Sequence, residues 1–250
     1  MADKKRVLIT GAGGRIGSSL ADQLKERYSL RLHYYPTLPD QPPVDDVVQG
    51  NISSLPEIAP AMGGIHAVVH LAGNPSTQAG WESVRDNNIE GTYNVFEAAR
   101  QAGVQKIVFA TTNHVMGMYD RDGEWPVYAK QPVRPDSLYG VSKAFGENLA
   151  RHYVDRYGMS AICLRIGWFM QQPRDEISRW MWLSPRDCAQ LVTLAIDSPL
   201  PYGVFYAISG NSSRHWDITD TIEKLGYHPQ DDADREMGDE EMRRRGETGR

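Results

Sequence analysis

Tyr139 and Lys143 stand four residues apart in Tyr139-Gly140-Val141-Ser142-Lys143, a spacing that stacks a phenol and an ammonium on one face of a helix. A phenol with an ordinary pKa near ~10 is a poor base at neutral pH, but a neighbouring ammonium favours the phenolate, so the pair can take a proton from an alcohol. Y-x3-K alone is a weak pattern, and two other segments give it weight. Gly11-Ala12-Gly13-Gly14-Arg15-Ile16-Gly17 follows an apolar run and opens a helical pattern. In that context glycine lets backbone approach a pyrophosphate, and the helix N-terminus supplies free N–H groups. Thr112 ends a second strand-like run, where its hydroxyl can bond a substrate oxygen beside Tyr139. Thr112, Tyr139 and Lys143 are therefore the candidate catalytic residues. The chemistry they suggest is alcohol oxidation against a nicotinamide: Tyr139 takes the proton, and Lys143 holds the nicotinamide ribose and keeps the phenol acidic.

Gly11, Gly14, Arg15, Ile16 and Gly17 are the candidates for the pyrophosphate. An NAD site usually carries an acid about twenty residues further on, at the end of the second strand. Here that place reads His33-Tyr34-Tyr35, so Tyr34 faces the ribose position and no carboxylate is present. Arg15 could meet a 2′-phosphate or be a solvated helix-start residue. NAD, NADP or both remain open.

The elements that must position these groups alternate along the chain. Arg6 to Thr10 reads as a strand buried on both faces, followed by a helix from Gly14 to Arg27. Further strands are expected over Leu30–Tyr35, Val44–Gln49, Ala67–Leu71, Lys106–Ala110, Ala161–Ile166 and Val204–Ile208. Helices are expected over Trp81–Ala102, with Gly103 as stop, from Leu138 to about Tyr157, and over Ser184–Asp197 with Ser184 as N-cap and Pro185 first. The order predicts an α/β fold, a Rossmann-type doubly wound parallel sheet with a small C-terminal substrate-binding portion. Ligands then gather at the strand C-terminal ends, where Gly11–Gly17, Leu71–Pro75, Thr111–His114 and Gly167–Pro173 converge. Asn113 and His114 can bond sugar hydroxyls, and a structural role for His114 fits the sequence equally. Trp168, Phe169, Trp180 and Trp182 could wall a sugar face or simply pack.

The 250 residues fit one domain over 1–230, with substrate contacts mainly in 167–230 and a highly charged tail over 231–250, expected to be frayed. A net charge of -5 without a basic cluster argues against nucleic acid or an anionic membrane as partner. No apolar run is long enough for a membrane span and no signal-peptide pattern opens the chain, so a soluble, cytoplasmic protein is expected. Cys163 and Cys188 lack metal-ligand spacing and read as buried free thiols, and no metal site is expected.

Through GAGGRIG, His70-Leu-Ala-Gly73, Asn87-Asn-Ile-Glu-Gly-Thr92 and YGVSK, the chain from Val7 to about Asp231 resembles the extended short-chain dehydrogenase/reductase superfamily. Thr112-Asn113-His114, the Tyr139–Arg151 helix, Leu164-Arg-Ile-Gly167 and Trp182–Asp187 resemble uronate dehydrogenases and the related haloarchaeal glucose-6-phosphate and L-arabinose 1-dehydrogenases. The resemblance implies oxidation of the anomeric C1 of a cyclic sugar, a hexuronate or another aldose, to the lactone, with Tyr139 as base and Thr112 in place of the usual serine. It implies cofactor contacts at Asn51, which replaces an aspartate that meets the adenine amine, and at Ile52, Leu71, Ala72, Gly73, Asn88 and Ile166. Substrate contacts are implied at Ser76, Asn113, His114, Gly167 and Trp168. The arginine that holds the uronate carboxylate falls at Ile177 by simple spacing, flanked by Arg174 and Arg179, either of which could clamp an anion or face solvent. A homodimer or higher homo-oligomer is also implied.

Two other functions share these features. A nucleotide-sugar epimerase uses the same Tyr/Lys pair, but its substrate domain needs more chain than follows Gly167 here. A non-catalytic nicotinamide-binding regulator would leave the Thr112, Tyr139 and Lys143 constellation without a purpose.

Overall fold

The computed structural model describes residues 4–238. β1 (Arg6–Thr10), α1 (Arg15–Leu24), β2 (Ser29–Tyr34), β3 (Val47–Gln49), the one-turn α2 (Leu55–Ile58) and β4 (Ala67–His70) form the first half. A long helical run follows: α3 (Trp81–Val84), a π-helical stretch (Arg85–Glu90) and α4 (Gly91–Gln101). Next come β5 (Lys106–Thr112), α5 (Gly117–Arg121), α6 (Leu138–Tyr157) and β6 (Ser160–Ile166). The chain continues through β7 (Trp168–Phe169), α7 (Glu176–Met181), β8 (Trp182–Leu183), α8 (Pro185–Asp197), β9 (Tyr202–Ala207) and α9 (Thr219–Leu225).

The main sheet is parallel in the order β3-β2-β1-β4-β5-β6-β9. Period-two side-chain alternation divides its apolar residues between two cores. Val7, Ile9, Val69, Val108, Ile162 and Leu164 face α1 and α8, whereas Leu8, Val68, Ile107, Phe109 and Cys163 face α4 and α6. Both faces are covered, as the doubly wound reading requires. Winding reverses between β1 and β4, so a crevice opens beyond the C-terminal ends of those strands.

Three details differ from expectation. β3 begins at Val47, later than expected; Asp46 before it still accepts from Leu32 N–H (2.9 Å), and its carboxylate bridges Arg6 of β1 (2.5 Å) and Arg31 of β2 (2.9 Å). The Trp81–Ala102 helix contains the π stretch, an i→i+5 widening that often marks functional sites and that helical periodicity cannot reveal. The segment assigned to a frayed tail is fastened at its start. Asp231 accepts from Ser184 Oγ (2.5 Å) and pairs with Arg186, Asp232 accepts from Ser212 Oγ (2.6 Å), and Ala233 is fully buried beside Met170 and Trp182. Short polar side chains meeting free loop N–H and hydroxyl groups hold it just ahead of a short helical stretch over 233–238. Residues 239–250 of the expected tail lie outside the described residues.

The short β7–β8 pair aligns Trp168 with Trp182 and forms the small C-terminal portion. Both cysteines are buried and unbonded. Among the described residues no helix is long and apolar enough to cross a membrane, and no three His, Cys, Asp or Glu side chains cluster as metal ligands.

Candidate active site

The turn from β1 into α1 is shaped by glycine where nothing else fits. Gly11 has φ +70, and a Cβ there would lie 2.9 Å from Ala72 backbone. At Gly17 a Cβ would collide with the Gly11 carbonyl, so the helix can approach its own loop only without a side chain. The N-cap, Gly14, has no side chain to cap α1, leaving first-turn N–H groups for an anion.

Thr10 ties this turn to β4. Its Oγ1 accepts from the N–H groups of Leu71 (3.2 Å) and Ala72 (3.3 Å), so its own proton goes to His70 Nδ1 (2.8 Å). His70 must then carry its proton on Nε2, directed at Thr92 Oγ1 (3.4 Å), and complete burial lowers its pKa well below the ordinary histidine value. A neutral ring is therefore a condition for this anchor.

At the other end, α6 starts at Ser137, whose hydroxyl accepts from Gly140 N (3.1 Å). Gly140 and Gly146 let it press on the His114 carbonyl and the Phe109 ring. This close packing sinks Lys143 to 4 % exposure, where Nζ donates to the Ala110 carbonyl (2.8 Å) at the end of β5. Burial pushes the Lys143 pKa down to about 8. Burial also pushes Tyr139 up to about 12, and a hydrogen bond from Thr112 pulls it back only in part. The expectation that Lys143 keeps the phenol acidic is thus not met by the protein alone: desolvation favours the neutral form of both groups.

A cleft of ≈ 600 Å³ joins the two ends. Its wall includes Gly11, Gly14, Arg15, Ile16 and Gly17 at the turn, Asn51 and Ile52 after β3, and Leu71, Ala72 and Gly73 after β4. Thr112, Tyr139, Lys143, Ile166, Gly167 and Trp168 complete the far side. The glycine turn, the uncapped helix start and the apolar walls fit a dinucleotide laid across the sheet's switch point.

Other sequence candidates lie off that wall. Tyr34 is 7 % exposed, its ring packed under Gly13. Asn88 is a buried clamp, bonding Asn74 O (3.0 Å) and Ser142 Oγ (3.0 Å). Ser76 is exposed and caps its own turn at Gln78 N. Asn113 is buried against Met181. His114 is held by Asp136 (2.7 Å) edge-on to Tyr139, with ring centroids 6.1 Å apart. Arg179 pairs with Asp234 (3.2 Å), while Arg174 is exposed at the entry to α7.

Asn74, Pro75 and Thr111 line the wall as expected from their strand ends, and the wall also includes residues that sequence reasoning missed: His33 and Tyr35 at the end of β2 and Asn87 from the π stretch. For His33 a signal existed. Leu30, Leu32 and Tyr34 share one strand parity and all enter the same core, which turns His33 and Tyr35 the other way.

These features define a dinucleotide-binding fold with a Tyr/Lys pair at the strand ends, and the chain belongs to the NAD dependent epimerase/dehydratase family, which it matches over residues 7–169. It is 38% identical to an NAD-dependent glucose-6-phosphate dehydrogenase of Haloferax volcanii, over 91% of this chain and 94% of that one. It is 37% identical to an L-arabinose 1-dehydrogenase (NAD(P)(+)) of the same organism, over 91% and 97%. Among solved structures, a tyrosine-to-alanine mutant of uronate dehydrogenase from Agrobacterium tumefaciens complexed with NAD superposes with TM-score 0.84 at 33% identity, covering 92% of this chain and 86% of that one.

Proposed function

We propose that this protein is an NAD(P)-dependent sugar 1-dehydrogenase that oxidises the anomeric carbon of a cyclic sugar to its lactone. The observation that carries the reading is the meeting of Thr112, Tyr139 and Lys143 at one end of a cleft whose other end is the glycine turn of α1. The three similar proteins support it by their names, a glucose-6-phosphate, an L-arabinose and a uronate dehydrogenase.

A bound dinucleotide supplies the two-electron acceptor. The chain's own residues handle the proton and the orientation. Thr112 and Tyr139 hold the anomeric hydroxyl, and Tyr139 takes its proton. The Lys143 ammonium, fixed by the Ala110 carbonyl, stabilises the phenolate as it forms, and its burial strengthens the effect of that charge. Trp168 closes the sugar side of the wall. Arg179 is committed to Asp234, whereas the Arg174 guanidinium has no partner among the described residues. Neither arginine lines the cleft, so the favoured substrate class, a hexuronate or sugar phosphate, rests on the names of the similar proteins.

Steady-state assays with a hexuronate, glucose 6-phosphate and L-arabinose, each with NAD and NADP, test this. Dinucleotide reduction with lactone formation is expected. Conversion of a UDP-sugar without net reduction, or no reduction by any free sugar, would sink the reading.

A further inference from the structure

Trp180 is not on the cleft wall; its indole stacks instead on the His215 imidazole, with ring centroids 4.5 Å apart and planes at 19°. Trp125 stacks on the same imidazole at 3.7 Å and 20°. The three rings come from three separate places: Trp125 from the loop between α5 and α6, Trp180 from α7, and His215 from the turn between β9 and α9. Asp120 of α5 fixes the group, since its Oδ1 accepts from both His215 Nδ1 (2.7 Å) and Trp125 Nε1 (2.9 Å). Backbone bonds repeat the tie: Val127 N–H donates to the His215 carbonyl (2.8 Å), and Asp217 N–H to the Val127 carbonyl (3.0 Å). His215 is 8% exposed and Trp125 51%, so burial alone does not hold the outer indole; ring stacking and the Asp120 bond do.

From Trp180 the connection runs on to the sugar end of the cleft. Met181 follows it, and its Sδ accepts from Asn113 Nδ2 (3.4 Å), while Asn113 Oδ1 accepts from the Thr112 hydroxyl (3.2 Å). The Met181 carbonyl lies so near Gly167 that a Cβ there would be 2.2 Å from it, and Trp182 pairs with Trp168 across β7 and β8. Thr112, Gly167 and Trp168 all line the cleft, so a shift of α7 is felt there on two sides.

We propose that Trp125, His215 and Trp180 form an aromatic clasp that sets the position of α7 and, through Met181 and Trp182, places the Thr112 hydroxyl and the Gly167–Trp168 wall for the sugar. His215 is a positioning residue: it touches neither substrate nor dinucleotide and acts through Trp180. The inference rests on the proposed oxidation of a sugar at this end of the cleft.

Trp125→Ala is the first variant, because a half-exposed indole can be removed without threatening the core. Hydrogen exchange on the full chain without ligands should become faster across 176–181 and stay unchanged across β1 and α1. With whichever of a hexuronate, glucose 6-phosphate or L-arabinose the parent chain oxidises, KM for the sugar should rise by about three- to tenfold, the scale of a lost ring pair, while the NAD Kd from titration calorimetry stays within about twofold. His215→Ala should do the same. His215→Phe, which keeps a ring for both indoles and loses the Asp120 bond, should return most of the lost sugar affinity, and His215→Asn, which keeps a donor for Asp120 without a ring, should not. A sugar KM unmoved by either Trp125→Ala or His215→Ala, a KM and an NAD Kd that weaken together, or exchange across 176–181 at the parent's rate overturns the clasp and leaves the dehydrogenase reading intact. Failure of the parent chain to oxidise any of the three sugars removes that reading and the clasp's role together, whichever way exchange responds.

Discussion

A phenol held near 12 and an amine held near 8 are, at neutral pH, a neutral acid beside a cation. Proton abstraction needs the phenolate, whose population grows with pH throughout the range below 12, so kcat should rise from pH 6 toward 9 in a pH–rate series; a flat profile would count against Tyr139 as base. Tyr139→Phe deletes the proton acceptor and little of the cleft's shape, so kcat should fall by several orders of magnitude while calorimetric dinucleotide affinity survives. Near-normal turnover would remove Tyr139 from the mechanism. Lys143 carries the opposite linkage from a partnered lysine. Its folded pKa lies below the unfolded value, so the folded state is penalised wherever the amine is charged, fully below about pH 8, and the penalty disappears as pH rises toward 10.5. Lys143→Met should therefore abolish turnover and yet change stability, relative to the parent, by roughly 3 kcal/mol in its favour at pH 7 compared with pH 10.5, less the lost bond to Ala110. Urea melts at both pH values measure it, and an equal difference at the two would refute the burial argument.

Elements hold these residues through a few side chains that bridge strands, and Thr10 is the clearest. It receives two amides from the β4 loop and gives its proton to His70, so Thr10→Val keeps the volume but leaves Leu71 N–H, Ala72 N–H and His70 Nδ1 unpartnered. We expect a loss of about 2–4 kcal/mol in urea unfolding and a weaker dinucleotide Kd, because Ala72 and Gly11 are in contact. Full stability in the variant would show that water replaces the hydroxyl without cost. Regular elements of this kind were legible in the sequence wherever periodicity was strong: the buried strands, the Ser184 cap and the extent of α6 all stand where the pattern put them. The Tyr139/Lys143 spacing and the glycine turn were legible because each is a local geometry. What escaped was set by three-dimensional context. The π stretch that puts Asn87 in the cleft leaves no trace in helical periodicity, and the inward turn of Tyr34 depends on which strand parity α1 covers. The phenol's upward shift could not be read from spacing either, since i,i+4 geometry announces the cation but not the desolvation that outweighs it.

At the scale of the whole molecule, the C-terminal segment joins parts that sequence order keeps apart. Asp231 holds Ser184 and Arg186 at the start of α8, Asp232 holds Ser212, Asp234 takes the N–H of Ser213 (2.9 Å) and the Arg179 guanidinium of α7, and Ala233 N–H donates to Asn211 (3.1 Å). Met181, at the end of that same α7, rests on Asn113 and crowds Gly167, so the segment braces the sugar end of the cleft from outside. The dinucleotide end, built from β1, α1 and β4, shares none of these bonds. A chain ended at Gln230 should therefore lose roughly 2–4 kcal/mol, since several buried or half-buried polar groups lose their partners at once. It should also show an uneven functional effect, with KM for the sugar rising clearly more than the Kd for the dinucleotide. Thermal melts and the two affinities decide the matter: equal weakening of both ligands would mean that the segment supports the fold generally, and an unchanged melting temperature would mean that its bonds to Ser184, Ser212 and Arg179 are dispensable.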